Sequence, residues 1–219
     1  MKLILLLMSL SISILTIGQT VSIDGSSIGF IVMGSNNYTG TAFVINTKRL
    51  VFTCAHVIDT SRDIYYASRE LTTNHISKHK LKIKVLLPEF DLVLLESDSD
   101  LCNQPFVAEG SFAFYANQHV FYLGYDVLKS SLNSKVLTAN QTNITSIGKT
   151  FEGNVAIDFI EFTGVGLPGY SGGPIINDSG KVVAIMREAW LKKGIKSDSA
   201  QLINRAFSIK PLFEVLNPE

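Results

Sequence analysis

The feature that most limits the fold is a recurrence of short β-prone runs in two groups. "SIGFIVMG", "TGTAFVIN", "RLVFT", "RDIYYAS", "LKIKVLL" and "DLVLLE" follow one another before residue 97. Each is rich in β-branched or aromatic residues. Gly, Asn, Ser or Pro loops separate them, which is the pattern of sheet strands. The polar stretch "SDSDLCNQP", from Ser97 to Pro105, then interrupts the series as a linker. The second group reads "HVFYLGY", "SKVLTANQT", "NVAIDFIEF", "GPIIN", "KVVAIMRE" and "RAFSI", and "KPLFEVLN" can close the chain as a short helix. About six strands per group suits small closed barrels, because closure removes exposed edges. The expected architecture is all-β, with two six-stranded antiparallel barrels over residues 19–104 and 105–219 and a short C-terminal helix. Pattern alone leaves an open sandwich as the alternative.

Residues 1–18 are set apart from this pattern. Lys2 precedes an apolar run from Leu3 to Ile17, and Gly18, Gln19 and Thr20 follow. A charged start, an apolar middle and a small-residue end are the layout of a secretory signal peptide, with cleavage after Gly18. The alternative is an uncleaved anchor. Against it, the run falls short of the roughly 20 residues needed to span a bilayer, and it contains Ser9, Ser11 and Ser13. The expectation is export to a periplasm or to the outside, with no stable membrane anchor after cleavage. Lys plus Arg equals Asp plus Glu, at 19 each, so charge gives no reason to expect nucleic acid as a partner. The two cysteines, Cys54 and Cys102, sit beside apolar runs. In an exported chain they could bridge, and buried free thiols are at least as well supported. Nothing in the sequence reports on oligomeric state.

One segment asks for a chemical explanation. "LPGYSGGPI", Leu167 to Ile175, surrounds Ser171 with glycine and proline. Taken alone it reads as a Gly-rich turn. A nucleophilic serine needs a histidine base within hydrogen-bond reach and a third group to orient that base. All four histidines, His56, His75, His79 and His119, precede Ser171. The Gly169-Tyr170-Ser171-Gly172-Gly173 segment fits a G-x-S-x-G elbow, but in α/β-hydrolases the histidine follows the serine. The strand-rich pattern also disagrees with that fold. His56, in "VFTCAHVID", stands where a strand ends. His75 and His79 lie in "TTNHISKHK", read as a solvated loop, and no neighbouring carboxylate or cysteine completes a metal set there. His119 opens an apolar strand and reads as structural. No metal and no cofactor is expected.

The orienting carboxylate should be buried beside the base. Asp91, at the head of "DLVLLE", is costly to bury without a charged or hydrogen-bonded partner, and an imidazolium supplies one. Asp158 in "VAIDFIEF" and Asp59 in a polar turn are the rivals, and Asp91 is preferred. The glycines then acquire a reason. The amides of Gly169 and Ser171 can form an oxyanion hole if the loop adopts a conformation that a side chain at 169 would block.

With His56, Asp91 and Ser171 in this order, the chain resembles the trypsin-like serine endopeptidases of the chymotrypsin double-barrel fold. "TCAHV", "FDLVLLE" and "PGYSGGPI" are similar to that family's motifs around base, acid and nucleophile. Within the family it resembles the Deg/HtrA-like proteases of bacteria. "TGTAFVIN" and "NRAFSIKPLFEVL" resemble blocks of that branch, and the gaps between the three residues are compact. The resemblance implies an exported endopeptidase that hydrolyses peptide or protein substrates through an acyl-enzyme. It implies a specificity pocket at Val165, Gly166, Arg187, Glu188 and Ala189. With no acidic residue at 165, a small apolar side chain before the cut is expected, and Arg187 keeps an acidic one open. No PDZ domain is expected after the second barrel. Tyr170 departs from the Asn, Asp or Glu usual at that position, which leaves the oxyanion loop's shape open. A catalytically silent fold acting as a peptide- or protein-binding module is the alternative function.

Overall fold

The computed structural model describes residues 11–15, 20–34, 37–69, 75–111, 113–126, 137–193 and 200–216. Most of the expected leader, residues 1–10 and 16–18, lies outside them. Strands β1 (Ser11–Leu15) and β2 (Thr20–Asp24) form an antiparallel hairpin ahead of the main body.

The two groups of β-prone runs become two closed barrels. The first contains β3 (Ile28–Met33), β4 (Asn37–Val44), β5 (Leu50–Cys54), β6 (Ile64–Arg69), β7 (Ile76–Leu87) and β8 (Leu92–Ser97), hydrogen-bonded in the order β3-β4-β5-β8-β7-β6. The second contains β9 (His119–Tyr125), β10 (Leu137–Glu152), β11 (Val155–Thr163), β12 (Pro174–Ile176), β13 (Val182–Lys193) and β14 (Ala200–Ser208), in the order β10-β11-β14-β13-β12-β9. Every pairing within the barrels is antiparallel. Closure in both cases pairs every strand on two sides, so the open sandwich is set aside.

Two runs extend further than the sequence pattern suggests. "TTNHISKHK" was expected to be a loop, yet β7 begins at Ile76, and His79 stands opposite Tyr66 in β6. Likewise β10 continues through the polar "TNITSIGKTFE" to Glu152. Both strands are largely exposed or half-buried, so even consecutive polar residues such as Ser77 to Lys80 sit in the ladder without being buried.

The barrels share apolar packing. Ile28, Phe30, Phe43, Phe52 and Leu94 of the first are buried in one continuous core with Phe121, Leu123, Ile176, Ile185 and Phe207 of the second. Each such side chain contributes on the order of 1.5–3 kcal/mol by leaving water. Helix α1 (Lys210–Leu216) follows the last strand of the second barrel but returns to the first, where Phe213 meets Phe52 edge-on at 5.8 Å. The seam between the barrels is thereby held from behind. Cys54 and Cys102 are free and buried.

Candidate active site

His56 and Asp91 meet through two local turns at the ends of adjacent strands. After β5, the turn Ala55–Val57 carries His56; before β8, the turn Pro88–Phe90 delivers Asp91. Asp91 has φ of +54°, a left-handed conformation that Asp tolerates better than most residues. The cost is offset by three bonds to the histidine turn. The Asp91 carbonyl accepts the Ala55 amide at 3.0 Å, its Oδ1 accepts the His56 amide at 2.9 Å, and its Oδ2 lies 2.7 Å from His56 Nδ1. Asp91 is buried, whereas the imidazole is half exposed. Burial pushes the Asp91 carboxyl up. The bonds from the His56 ring and amide, with the charges of His56 and Arg187, outweigh burial and leave it below its usual value.

Ser171 arrives from the second barrel on the loop before β12. Gly169 has φ of +103° and Gly172 of +86°, values that side chains resist. A Cβ at Gly172 would also stand 2.1 Å from the Thr41 carbonyl and 2.2 Å from Thr53 Oγ1. The loop's amides divide into two sets. Those of Tyr170, Gly172 and Gly173 donate to Leu167, Met186 and Tyr170 carbonyls. Those of Gly169 and Ser171 have no acceptor among the described residues, which leaves two donors for an anion.

The first barrel holds this loop in place. The Thr41 amide donates to the Ser171 carbonyl at 2.8 Å, and its hydroxyl donates to the Gly169 carbonyl at 2.6 Å while accepting the Tyr125 amide at 2.9 Å. Tyr170 turns away from the cleft and is buried in the second barrel, with its ring 6.3 Å from that of Tyr122. A residue usually polar in the resembling proteases therefore acts here as an apolar anchor.

The Ser171 hydroxyl donates to the Arg187 carbonyl at 2.9 Å. Among the described residues no hydrogen bond joins it to His56. Arg187 also reaches back to the acid, with Nε 3.0 Å from Asp91 Oδ2, while its Nη2 lies 3.2 Å from Glu152 Oε1. Its guanidinium stacks over the Phe207 ring at 4.4 Å.

The residues expected around a specificity pocket take different surroundings. Val165 is 52% exposed, so its side chain does not form a buried floor. Glu188 pairs with Arg205 at 3.1 Å and Arg187 with Asp91, so both charges are committed elsewhere. Gly166, Ala189 and Asn204 do come together: a Cβ on Gly166 would stand 2.0 Å from Asn204 Oδ1 and 2.7 Å from the Ala189 Cβ. Asn204 was missed in the sequence. The available signal was an amide in the middle of the otherwise strand-like "LINRAFSI". It is fully buried and donates to the Gly164 carbonyl at 3.2 Å, while its Oδ1 has no partner among the described residues. On the first barrel's side, Ala55, Ile58, Thr60, Leu86 and Pro88 line an open depression of about 500 Å³ beside His56.

Cys54, His56 and Asp91 offer atoms within 4.8 Å of one another, a spacing that a metal ion could bridge. The chemistry opposes one. Burial pushes the Cys54 thiol well above its usual value, and the thiol donates to the Met186 carbonyl at 3.3 Å. The Arg187 guanidinium already neutralises the carboxylate, where a second cation would meet it at close range.

Similar proteins share this arrangement of barrels. The MamO protease domain from Magnetospirillum magneticum, in its apo form, superposes with a TM-score of 0.67 at 17% identity, over 88% of this chain and 97% of that one. The active form of the Rv3671c protease from M. tuberculosis gives 0.66 at 19%, over 88% and 80%. The HtrA-type protease AlgW with a decapeptide gives 0.66 at 19%, over 88% of this chain and 63% of AlgW. At these identities the likeness is one of fold. No curated protein sequence matches the chain. A family model of the trypsin-like peptidase domain matches residues 40–185, well over half of the sequence. Two closed six-stranded barrels and this match together show that the chain belongs to the trypsin-like peptidase domain family.

Proposed function

We propose that the chain is an exported serine endopeptidase with His56 as base, Asp91 as its orienting acid and Ser171 as nucleophile. The observation that carries this reading is the His56 Nδ1 to Asp91 Oδ2 contact of 2.7 Å, made by a buried carboxylate to a half-exposed ring. With Nδ1–H donated to the carboxylate, Nε2 keeps its lone pair and faces the task of a base.

In the proposed reaction, the Ser171 hydroxyl leaves the Arg187 carbonyl and gives its proton to His56 Nε2 as Oγ attacks a peptide carbonyl. The oxyanion is held by the Gly169 and Ser171 amides. The proton then passes to the amine as the peptide C–N bond breaks. Water, deprotonated by His56, releases the acyl group and restores the hydroxyl. The preferred residue before the cut is small and apolar, in keeping with Gly166 and Ala189 and with the pairing of Arg187 and Glu188 away from that region. Export rests on the layout of residues 1–18. Among the described residues, no helix is long and apolar enough to cross a membrane.

A fluorophosphonate probe tests the chemistry. Wild-type protein should be labelled at Ser171, and Ser171→Ala should not be. Equal labelling of the two proteins, or none of the wild type at any pH from 5 to 10, would remove this reading. A peptide-binding role is the second reading. It draws on the Ser171 hydroxyl being bonded to the Arg187 carbonyl, and absent labelling would favour it. For specificity, a peptide library read by mass spectrometry should show cuts after Ala, Val or Leu. Cuts after Lys or Arg would overturn that preference.

A further inference from the structure

The geometry points to Arg187 as a positioning residue that shares Asp91 with His56 and so opposes protonation of the base. This rests on the assignment of His56 and Asp91 above. One oxygen, Asp91 Oδ2, is hydrogen-bonded to His56 Nδ1 at 2.7 Å and ion-paired with Arg187 Nε at 3.0 Å. The guanidinium is held in place from three sides: by this carboxylate, by Glu152 Oε1 at 3.2 Å, and by the Phe207 ring beneath it at 4.4 Å. Its side chain is only 23% exposed, so water screens it poorly.

Two cations bonded to one carboxylate oxygen repel each other. When His56 takes a proton, the new charge forms beside a fixed guanidinium, and Asp91 must serve both. The Arg187 charge therefore works against the positive charge that the imidazole takes up with a proton. Glu152 acts in the opposite sense by drawing on the other end of the guanidinium.

Other titratable groups close to the ring do not replace this effect. Cys54 is a neutral buried thiol. Asp59, beside the depression, is an exposed carboxylate bonded to Ser61 and Arg62. Neither brings a positive charge to Asp91, although the Cys54 thiol also lies against that carboxylate. Arg187 touches the proposed machinery a second time, since its carbonyl receives the Ser171 hydroxyl. Replacing the side chain leaves that carbonyl in place, which separates the charge effect from the backbone one.

The test is an NMR titration of the His56 ring in wild type, Arg187→Gln, Arg187→Lys and Glu152→Gln, with the pH dependence of the fluorophosphonate labelling rate measured on each. In Arg187→Gln the titration midpoint and the acid limb of labelling should both move up by roughly half to one pH unit. Arg187→Lys, which keeps the charge, should restore most of the wild-type position. Glu152→Gln, a surface change that spares the core, should move both down by a smaller amount, and that shift should shrink in the Arg187→Gln background. An unmoved midpoint in Arg187→Gln, or an upward one in Glu152→Gln, overturns the inference. If Arg187→Gln fails to fold, the sign of the Glu152→Gln shift decides. A midpoint that moves as expected in a protein that never labels would uphold the charge sharing and remove the catalytic reading alone.

Discussion

The two barrels are alike in strand number and closure, but they prepare their parts of the site differently. In the first, His56 and Asp91 come from turns flanking adjacent strands, β5 and β8, and three bonds between those turns fix the pair locally. In the second, Ser171 sits on a loop whose shape depends on the other barrel, through Thr41, and whose hydroxyl is bonded to its own barrel at Arg187. The proposed base and acid meet within one barrel, with Arg187 of the second barrel reaching the acid. The proposed nucleophile depends on the seam.

The largest expected effect tests the first barrel's half. Asp91→Asn keeps the size and tolerates the left-handed backbone, but it no longer dictates the His56 tautomer. The second-order rate of fluorophosphonate labelling should fall by about 10⁴-fold with the fold intact by circular dichroism. A loss below tenfold would show that the pair is not the activating one.

Next is the seam. Thr41→Val removes a hydroxyl that serves both the Gly169 carbonyl and the Tyr125 amide, leaving two buried groups unpaired. Denaturant unfolding should show a loss of about 2–4 kcal/mol. Labelling should slow even where the variant is fully folded. Retained labelling speed would mean that the serine loop does not need the first barrel.

A smaller effect is expected from acid. The folded Asp91 titrates below the unfolded value of roughly 3.9. Its stabilising contribution is then complete above the unfolded value and disappears as pH falls through the folded one. Thermal stability should therefore drop below about pH 4, and Asp91→Asn should flatten part of that drop. The same slope in both proteins would place the acid sensitivity elsewhere.

The smallest change concerns the second barrel alone. The Tyr170 hydroxyl is buried with no partner among the described residues. Tyr170→Phe should change stability by less than about 1 kcal/mol, on the stabilising side. A loss of 2 kcal/mol or more in a thermal melt would reveal a hydrogen bond at that oxygen.

Much of the fold was legible because strand periodicity and turn residues are local. Six runs before Ser97 and six after His119 map onto the twelve barrel strands, and "KPLFEVLN" onto α1. The extensions were not legible. Polar residues in "TTNHISKHK" and "TNITSIGKTFE" look like loops until a neighbouring strand supplies their hydrogen bonds, and that neighbour is distant in sequence. At the candidate site, the residue types that a nucleophilic serine would need point to His56 and Asp91, which do lie in contact. The ion pairs of Glu188 and Arg187 were invisible, since they depend on which side chain each strand turns toward which neighbour.

By itself, then, the sequence determined the strand inventory, the two-group division and the short list of residues able to do acyl-transfer chemistry. These follow from backbone preference, side-chain alternation and chemical type, which are properties of neighbours along the chain. Only the tertiary structure decided that Arg187 would lean on Asp91, that Asn204 would be buried beside Gly166, and that Tyr170 would anchor its loop from the core. Those outcomes depend on which groups barrel closure brings within about 3–4 Å, where Coulomb and packing energies become large enough to choose between orientations.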